Sequence, residues 1–186
     1  MGDVVDMIMA DHREVERLFD KLARDPGTRA LNVPVLSALL VAHSRAEEAE
    51  VYPVAREEAG AADEVAHSQE EHLQAEQILQ RLQATDPMSD EFETVLQELV
   101  EAVTHHVEEE EFNVLPAMRS QLADPRREQL GGAFAASREQ HLGQVPGAVT
   151  KEQLMQMAEN VGMAGASSMS KTELETELRR QAEQAE

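Results

Sequence analysis

Six side chains in this sequence have the type and spacing to grip metal ions. His12, His43, His72 and His106 each fall on a run of apolar residues at helical spacing, and Glu47 and Glu110 each follow a histidine by one helical turn. In the second predicted helix the apolar stripe runs Leu36, Leu40, His43, Glu47, Val51, Val54, and in the fourth Leu99, Val103, His106, Glu110, Val114. Steps of three and four trace one helix face, so imidazoles and carboxylates are directed inward with the aliphatic residues. Leaving a buried polar group unpaired costs roughly 2–7 kcal/mol, and a bare carboxylate far more. A shared cation resolves that cost. Imidazole suits iron, zinc and copper, and bridging carboxylates suit a pair of ions ~3.5–4 Å apart. Two other readings remain open from the residues alone: a single zinc ion, or hydrogen-bonded core histidines with ordinary i,i+4 surface pairs.

The elements that must position these groups read as long helices between breakers. Asp3 is expected to cap a first helix that runs to about Arg24, before Pro26-Gly27. Asn32 and Pro34 open a second, which fades at Gly60. Asp63 caps a third, to Thr85, and Ser89 opens a fourth, to about Ala123. Asp124-Pro125 starts a fifth, ending near His141. The first four contain an internal repeat. Asp11-His12 with Glu16 and Leu18 matches Glu71-His72 with Glu76 and Ile78, and His43-x-x-x-Glu47-Glu48 with Val51-Tyr52-Pro53 matches His106-x-x-x-Glu110-Glu111 with Val114-Leu115-Pro116. One helical hairpin thus occurs twice, and short loops make successive helices antiparallel neighbours. The expected fold is all-α: an antiparallel up-down-up-down four-helix bundle over residues 1–142 with an extra helix, a linker over 143–149, and a small helix–loop–helix module over 150–186. Thr150 with Gln153, and Ser170 with Glu173, form capping-box patterns at the two helices of that module.

Composition narrows the function classes. The 186 residues carry 16 Lys+Arg against 37 Asp+Glu, a net charge of −21, which repels nucleic acid and anionic membranes and attracts cations. Without cysteine there is no disulfide, thiolate zinc site or iron–sulfur cluster. An aromatic content of 3% suits a helical core of Leu, Val, Ala and Met. No secretory pattern opens the chain and no apolar run reaches ~20 residues, so a cytoplasmic protein is expected.

Several further polar residues are candidates for lesser roles. Tyr52, the single tyrosine, replaces the symmetry-related Leu115 and is a candidate iron ligand or catalytic phenol, or a packing residue before Pro53. Glu16 and Glu76 each follow a histidine by four residues and read as metal ligands or as salt-bridge partners at the rim. Glu48, Glu108, Glu109 and Glu111 read as solvated faces or as supports for the histidines. His67, His105 and His141 fall outside the repeat and read as surface or supporting residues.

Taken together, the Asp-His, Glu-His and two His-x-x-x-Glu-Glu motifs resemble the hemerythrin-like family of HHE cation-binding domains, over about residues 3–122. The resemblance implies an oxo- or hydroxo-bridged di-iron centre, with His12, His43, His72 and His106 as terminal ligands and Glu47 and Glu110 as bridges. Oxygen-carrying members place a second histidine one turn after the third-helix one; here that residue is Glu76. The fourth-helix carboxylate is Glu110 at four residues, where those members have an aspartate at five. The extra oxygen donors favour ferric iron. The resemblance therefore implies an enzyme turning over peroxide or nitric oxide, or an iron, redox or oxygen sensor, in preference to reversible O₂ carriage. The C-terminal segment resembles a SAP or Rho N-terminal-like helix–loop–helix through Lys151-Glu-Gln-Leu154 and Met169-Ser-Lys171-Thr-Glu-Leu174. Its acidic balance points to docking on a protein partner or on its own bundle instead of on nucleic acid.

Overall fold

The computed structural model describes residues 2–147 and 149–185, so Met1 of the expected bundle, Ala148 of the expected linker and Glu186 of the C-terminal module lie outside it. The regular structure of the described residues is all helix, without a strand. Helix α1 (Val4–Arg24) begins at Asp3, whose carboxylate accepts from Val5 N at 2.9 Å. Its buried face carries Val5, Ile8, His12, Val15, Phe19 and Leu22. Helix α2 (Arg29–Ala46) runs through a π turn (Glu47–Val51) into α3 (Tyr52–Ala59). Helix α4 (Ala62–Ala84) is followed by α5 (Asp90–Glu109), a second π turn (Glu110–Val114) and α6 (Leu115–Gln121). Then come α7 (Asp124–His141), α8 (Lys151–Asn160) and α9 (Lys171–Ala185).

The two π turns occupy equivalent places in the repeat and share one cause. Pro53 and Pro116 lack an N–H and crowd the carbonyl four residues back, so the α-helical ladder cannot continue through them. The residue before each proline reaches one residue further back instead: Tyr52 N–H bonds to Glu47 O, and Leu115 N–H to Glu110 O. The widened turn therefore starts at the glutamates expected to hold metal. Such bulges are frequent at functional sites.

Two helix starts differ from the sequence expectation. Helix α2 begins at Arg29, ahead of Asn32 and Pro34, because buried Arg29 donates to Leu22 O, Pro87 O and Glu93 Oε1 at 3.0–3.1 Å and fixes that turn. Asn32 Nδ2 donates back to Thr28 O at 2.8 Å, and Pro34 lies inside the helix. Helix α4 begins at Ala62, so Asp63 sits in its first turn and favours the positive end of the helix dipole without capping it. Gly60, at φ +73°, closes α3 in the left-handed conformation and makes the turn into α4 tight.

Helix α1 packs against α2 and α5, and α4 packs against α5 and α2. The interior has three levels. At one end, Leu18, Leu22, Leu36, Leu79, Leu82, Phe92 and Leu99 form an aliphatic core. At the other, Ile8, Val51, Tyr52, Val65, Leu115 and Met118 form a second, joined by Leu130 and Phe134 of α7. The histidines lie between these levels. Helix α7 lies on α1 and α2, close enough at Gly131 that a β-carbon there would stand 2.1 Å from Gly2 O. Helices α8 and α9 lie on α4, where Leu73 joins Leu154, Met157, Leu174 and Leu178 in a third apolar cluster. Both capping boxes form: Thr150 with Gln153, and Ser170 with Glu173. No helix among the described residues is long and apolar enough to cross a membrane.

Candidate metal centre

Between the two aliphatic levels, one imidazole from each of α1, α2, α4 and α5 meets the carboxylates that open the π turns. His12, His43, Glu47 and Glu110 offer one ligand atom each within 4.8 Å of one another, and Glu47, His72 and His106 do the same. Glu47 belongs to both groups: its Oε1 lies 3.2 Å from His43 Nε2 and its Oε2 3.4 Å from His72 Nε2. Glu110 Oε2 lies 3.3 Å from His12 Nε2, and the Nε2 atoms of His72 and His106 are 3.1 Å apart. Ligand bonds of roughly 2.1 Å put neighbouring donor atoms ~3.0–3.4 Å apart, so the spacing fits metal coordination. All six expected residues are thus brought together.

Hydrogen bonding decides which nitrogen faces inward. Each histidine turns its Nδ1 to a carboxylate: His12 to Glu111 at 2.9 Å, His43 to Asp11 at 3.2 Å, His72 to Glu48 at 3.2 Å and His106 to Glu71 at 2.9 Å. A carboxylate only accepts, so Nδ1 carries the proton and Nε2 presents a lone pair to the centre. The pattern obeys the repeat. The acid preceding the first histidine of a hairpin (Asp11, Glu71) holds the second histidine of that hairpin. The acid following the ligand glutamate (Glu48, Glu111) holds the first histidine of the other hairpin. Lone pairs on nitrogen and oxygen thus face one another across a buried space. His12 Nε2, His43 Nε2, Glu47 Oε1 and both oxygens of Glu110 are buried without a hydrogen-bond partner. A cation, either a proton or a metal ion, satisfies such a set.

The sequence motifs contained Asp11 and Glu71 but gave no reason to assign them this role, which appears only once the two helices of each hairpin pack together. Replacing Asp11 by Asn should weaken metal affinity by ~10–100-fold, the usual cost of losing a carboxylate behind a ligand histidine. Titration of the metal-free variant with metal checks this, and unchanged affinity would remove Asp11 from the site.

The remaining candidates separate cleanly. Tyr52 is fully buried, with its hydroxyl 3.3 Å from His72 Nε2 and 3.5 Å from Glu47 Oε2. Burial, together with Glu47, Glu110 and Glu48, pushes the phenol well above its usual pKa. Glu76 lies in neither ligand group. It pairs with the buried guanidinium of Arg45 and accepts from Gly147 N at 2.9 Å. Arg45 also donates to Glu48 at 3.0 and 3.3 Å, so a buried Glu76–Arg45–Glu48 chain stands behind His72. Glu16 pairs with Arg13 at the surface, and His141 lies beside Ser137 on α7. Helix α7 closes the other side. Phe134 meets the His43 ring edge-on at 5.9 Å, and Arg138 pairs with Asp11.

Without metal, the centre is held by protons. Burial pulls His43 down, but Glu47 and Asp11 outweigh it and raise its pKa from 6.5 to about 10. Burial likewise opposes Glu47 and Glu48 at His72, which rises to about 9. Because both folded values exceed the unfolded one, their stabilisation is complete below ~6.5 and is lost as pH rises through about 9 and 10. Denaturation of metal-free protein should therefore become easier from neutrality towards pH 10, and metal uptake at neutral pH should release protons. A flat stability profile with no proton release would contradict the arrangement.

A ring of helices enclosing paired His and carboxylate ligands defines a helical cation-binding protein. Residues 3–118 match the model of the hemerythrin HHE cation binding domain, and the chain belongs to that family. The chain is also 30% identical over 146 residues to a protein named DNA nickase from Nostoc sp. (strain PCC 7120 / SAG 25.82 / UTEX 2576), an alignment covering 76% of this chain and 41% of that protein. The chain therefore spans about two fifths of that relative's length. No solved structure matches the chain.

Proposed function

We propose that this is a non-haem di-iron protein that reacts with a small oxidant, with hydrogen peroxide disproportionation as its principal reaction and nitric oxide or O₂ as further substrates. The observation carrying this reading is the sharing of Glu47 between two clusters of inward-facing imidazole nitrogens. His12, His43 and Glu110 would hold one iron, His72 and His106 the other, and Glu47 would bridge them. The reading includes the up-down-up-down topology expected from the repeat. When bound, the pair supplies Lewis acidity and exchangeable electrons, so disproportionation of peroxide to water and O₂ needs no external reductant.

The chain's own residues suit that task. The four carboxylate–imidazole pairs fix ring orientation before any metal arrives. Beside the histidines lies a small cavity walled by Val15, Leu40, Ala75, Val103 and Val107. That admits a molecule of a few atoms. Tyr52 keeps its proton and stands within reach of Glu47 and His72, where it can donate to a small anion or join the metal ligands. The nicking activity of the Nostoc relative is not carried over, since the net charge of −21 opposes a phosphate backbone. Iron-loaded protein is expected to evolve O₂ from peroxide in an oxygen electrode. Fully loaded protein that neither evolves O₂ nor consumes nitric oxide would refute the reaction.

A second reading, sensing without turnover, draws on the contacts of the C-terminal segment. We read residues 1–142 as the bundle domain and 150–186 as a SAP/Rho N-terminal-like module docked on it. Asn160 donates to Glu48 O at 2.8 Å and to Gln69 Oε1 at 2.7 Å, and Gln69 donates to Met157 O at 3.1 Å. Glu48 also holds His72, so a change at iron has a short path to α8. Under this reading, protease cleavage within 143–149 differs between ferrous and ferric protein; identical cleavage would remove it.

A further inference from the structure

We propose a second, separate divalent-cation site on the outer face of α4 and α5, formed by His67, Glu71, His105 and Glu109. Their ligand atoms lie within 4.8 Å of one another. His67 and Glu71 stand one turn apart on α4, and His105 and Glu109 one turn apart on α5, so two His-x-x-x-Glu pairs face each other across adjacent helices. His67 Nε2 is 3.2 Å from Glu109 Oε2 and 3.5 Å from Glu71 Oε1. His105 Nε2 is 3.4 Å from Glu109 Oε1 and 3.8 Å from Glu71 Oε1. Tetrahedral coordination with bonds of ~2.0–2.1 Å puts neighbouring ligand atoms roughly 3.3 Å apart, and these four separations bracket that value.

The donor set, two imidazoles and two carboxylates, suits a transition ion of the zinc class and cancels its charge. Access also fits. The His105 side chain is 61% exposed and Glu109 39%, whereas Glu71 is only 10% exposed, so an ion can enter from solvent against a fixed inner wall. A solvent-exposed histidine–carboxylate pair would contribute little as a mere salt bridge. The site is also particular to one half of the repeat: the positions equivalent to His67, His105 and Glu109 hold Met7, Ala42 and Ala46. It therefore does not follow from the symmetry that builds the inner centre.

Glu71 joins the two sites. Its Oε1 faces the outer histidines, while its Oε2 holds His106 Nδ1 at 2.9 Å. An ion on Oε1 draws charge from Oε2 and loosens its grip on the His106 proton, so occupancy outside tunes a ligand inside.

Equilibrium dialysis of the full-length metal-free chain against Zn²⁺ alone tests the proposal. Wild type should take up one ion more than a His67→Ala/His105→Ala variant, whose substitutions lie outside the inner ligand set. A Glu47→Gln variant should retain that outer ion while losing inner ones. Co²⁺ in place of Zn²⁺ gives a second readout: the ion lost from the His67/His105 variant should carry visible absorption of a four-coordinate centre. Equal uptake by wild type and the double variant, or an extra ion with only the spectrum of hydrated Co²⁺, overturns the site. Failure of the inner reading would instead appear as a Glu47→Gln variant with undiminished uptake, so the two results are distinguishable.

Discussion

A Glu47→Gln variant is expected to lose both inner metal positions, with affinity at each falling by more than ~100-fold, beyond the 10–100-fold cost of losing a supporting carboxylate. Glu47 is fully buried, and its two oxygens reach histidines of different clusters, His43 and His72. The amide keeps the shape but removes the negative charge and replaces one acceptor with a donor, which faces a nitrogen lone pair or a cation. The metal-free variant carries an independent signature. Because burial alone lowers imidazole pKa values and Glu47 is a principal group opposing it, His43 should titrate below its value of about 10 and His72 below about 9. Histidine resonances followed by NMR report that shift. Glu14→Gln, at an exposed position paired with Arg17, supplies the control and should leave metal binding unchanged. Retention of both ions by Glu47→Gln would show that the carboxylate is not shared.

The second large effect concerns Arg45. Its side chain is 2% exposed and lies between the buried carboxylates of Glu48 and Glu76. Burial opposes its charge, but those two carboxylates outweigh it and raise its pKa. Arg45→Met leaves two carboxylates facing each other in a low-dielectric interior, and breaking such a pair costs about 3–5 kcal/mol. For a chain of this length that lowers Tm by roughly 6–20 °C. Adding Glu76→Gln should restore part of the loss by removing one stranded charge. Because Glu48 also orients His72, the single variant should bind metal more weakly as well. Thermal unfolding of the metal-free proteins separates stability from binding, and a loss under about 1 kcal/mol would contradict the buried pairing.

The convergence of His12, His43, Glu47, His72, His106 and Glu110 on one interior space was legible in the sequence because period and chemistry agreed. Histidines and glutamates interrupt aliphatic stripes in step, twice, and local helical geometry alone converts that pattern into one inward face. The helix ends were legible where a side chain caps them, as at Asp3, Ser89 and Thr150. They were not where tertiary contacts set them: buried Arg29 extends α2 ahead of Pro34, and no local rule anticipates its partners Leu22 and Pro87. The π turns had a signal in Tyr52-Pro53 and Leu115-Pro116, which lie inside helices expected to run on unbroken to Gly60 and Ala123 and instead mark a change of ladder. Glu76 was weighed as a ligand or a rim salt bridge and is instead a buried partner of Arg45, a residue on another helix. Glu48 and Glu111 act across hairpins, Asp11 and Glu71 act between the two helices of their own hairpin, and α7 contributes Phe134 and Arg138 from beyond the repeat. Such pairings depend on how helices dock, which spacing within one helix does not encode. The same reason hid the facing of His67 and His105.

Iron K-edge X-ray absorption of the iron-loaded protein tests the central claim most directly. The account predicts about two irons per chain, imidazole scattering from the ligand shell, and an iron–iron vector in the range of ~3–4 Å set by a bridged pair. A single iron with no metal–metal vector, or a shell of oxygen alone as in hydrated surface iron, would contradict it.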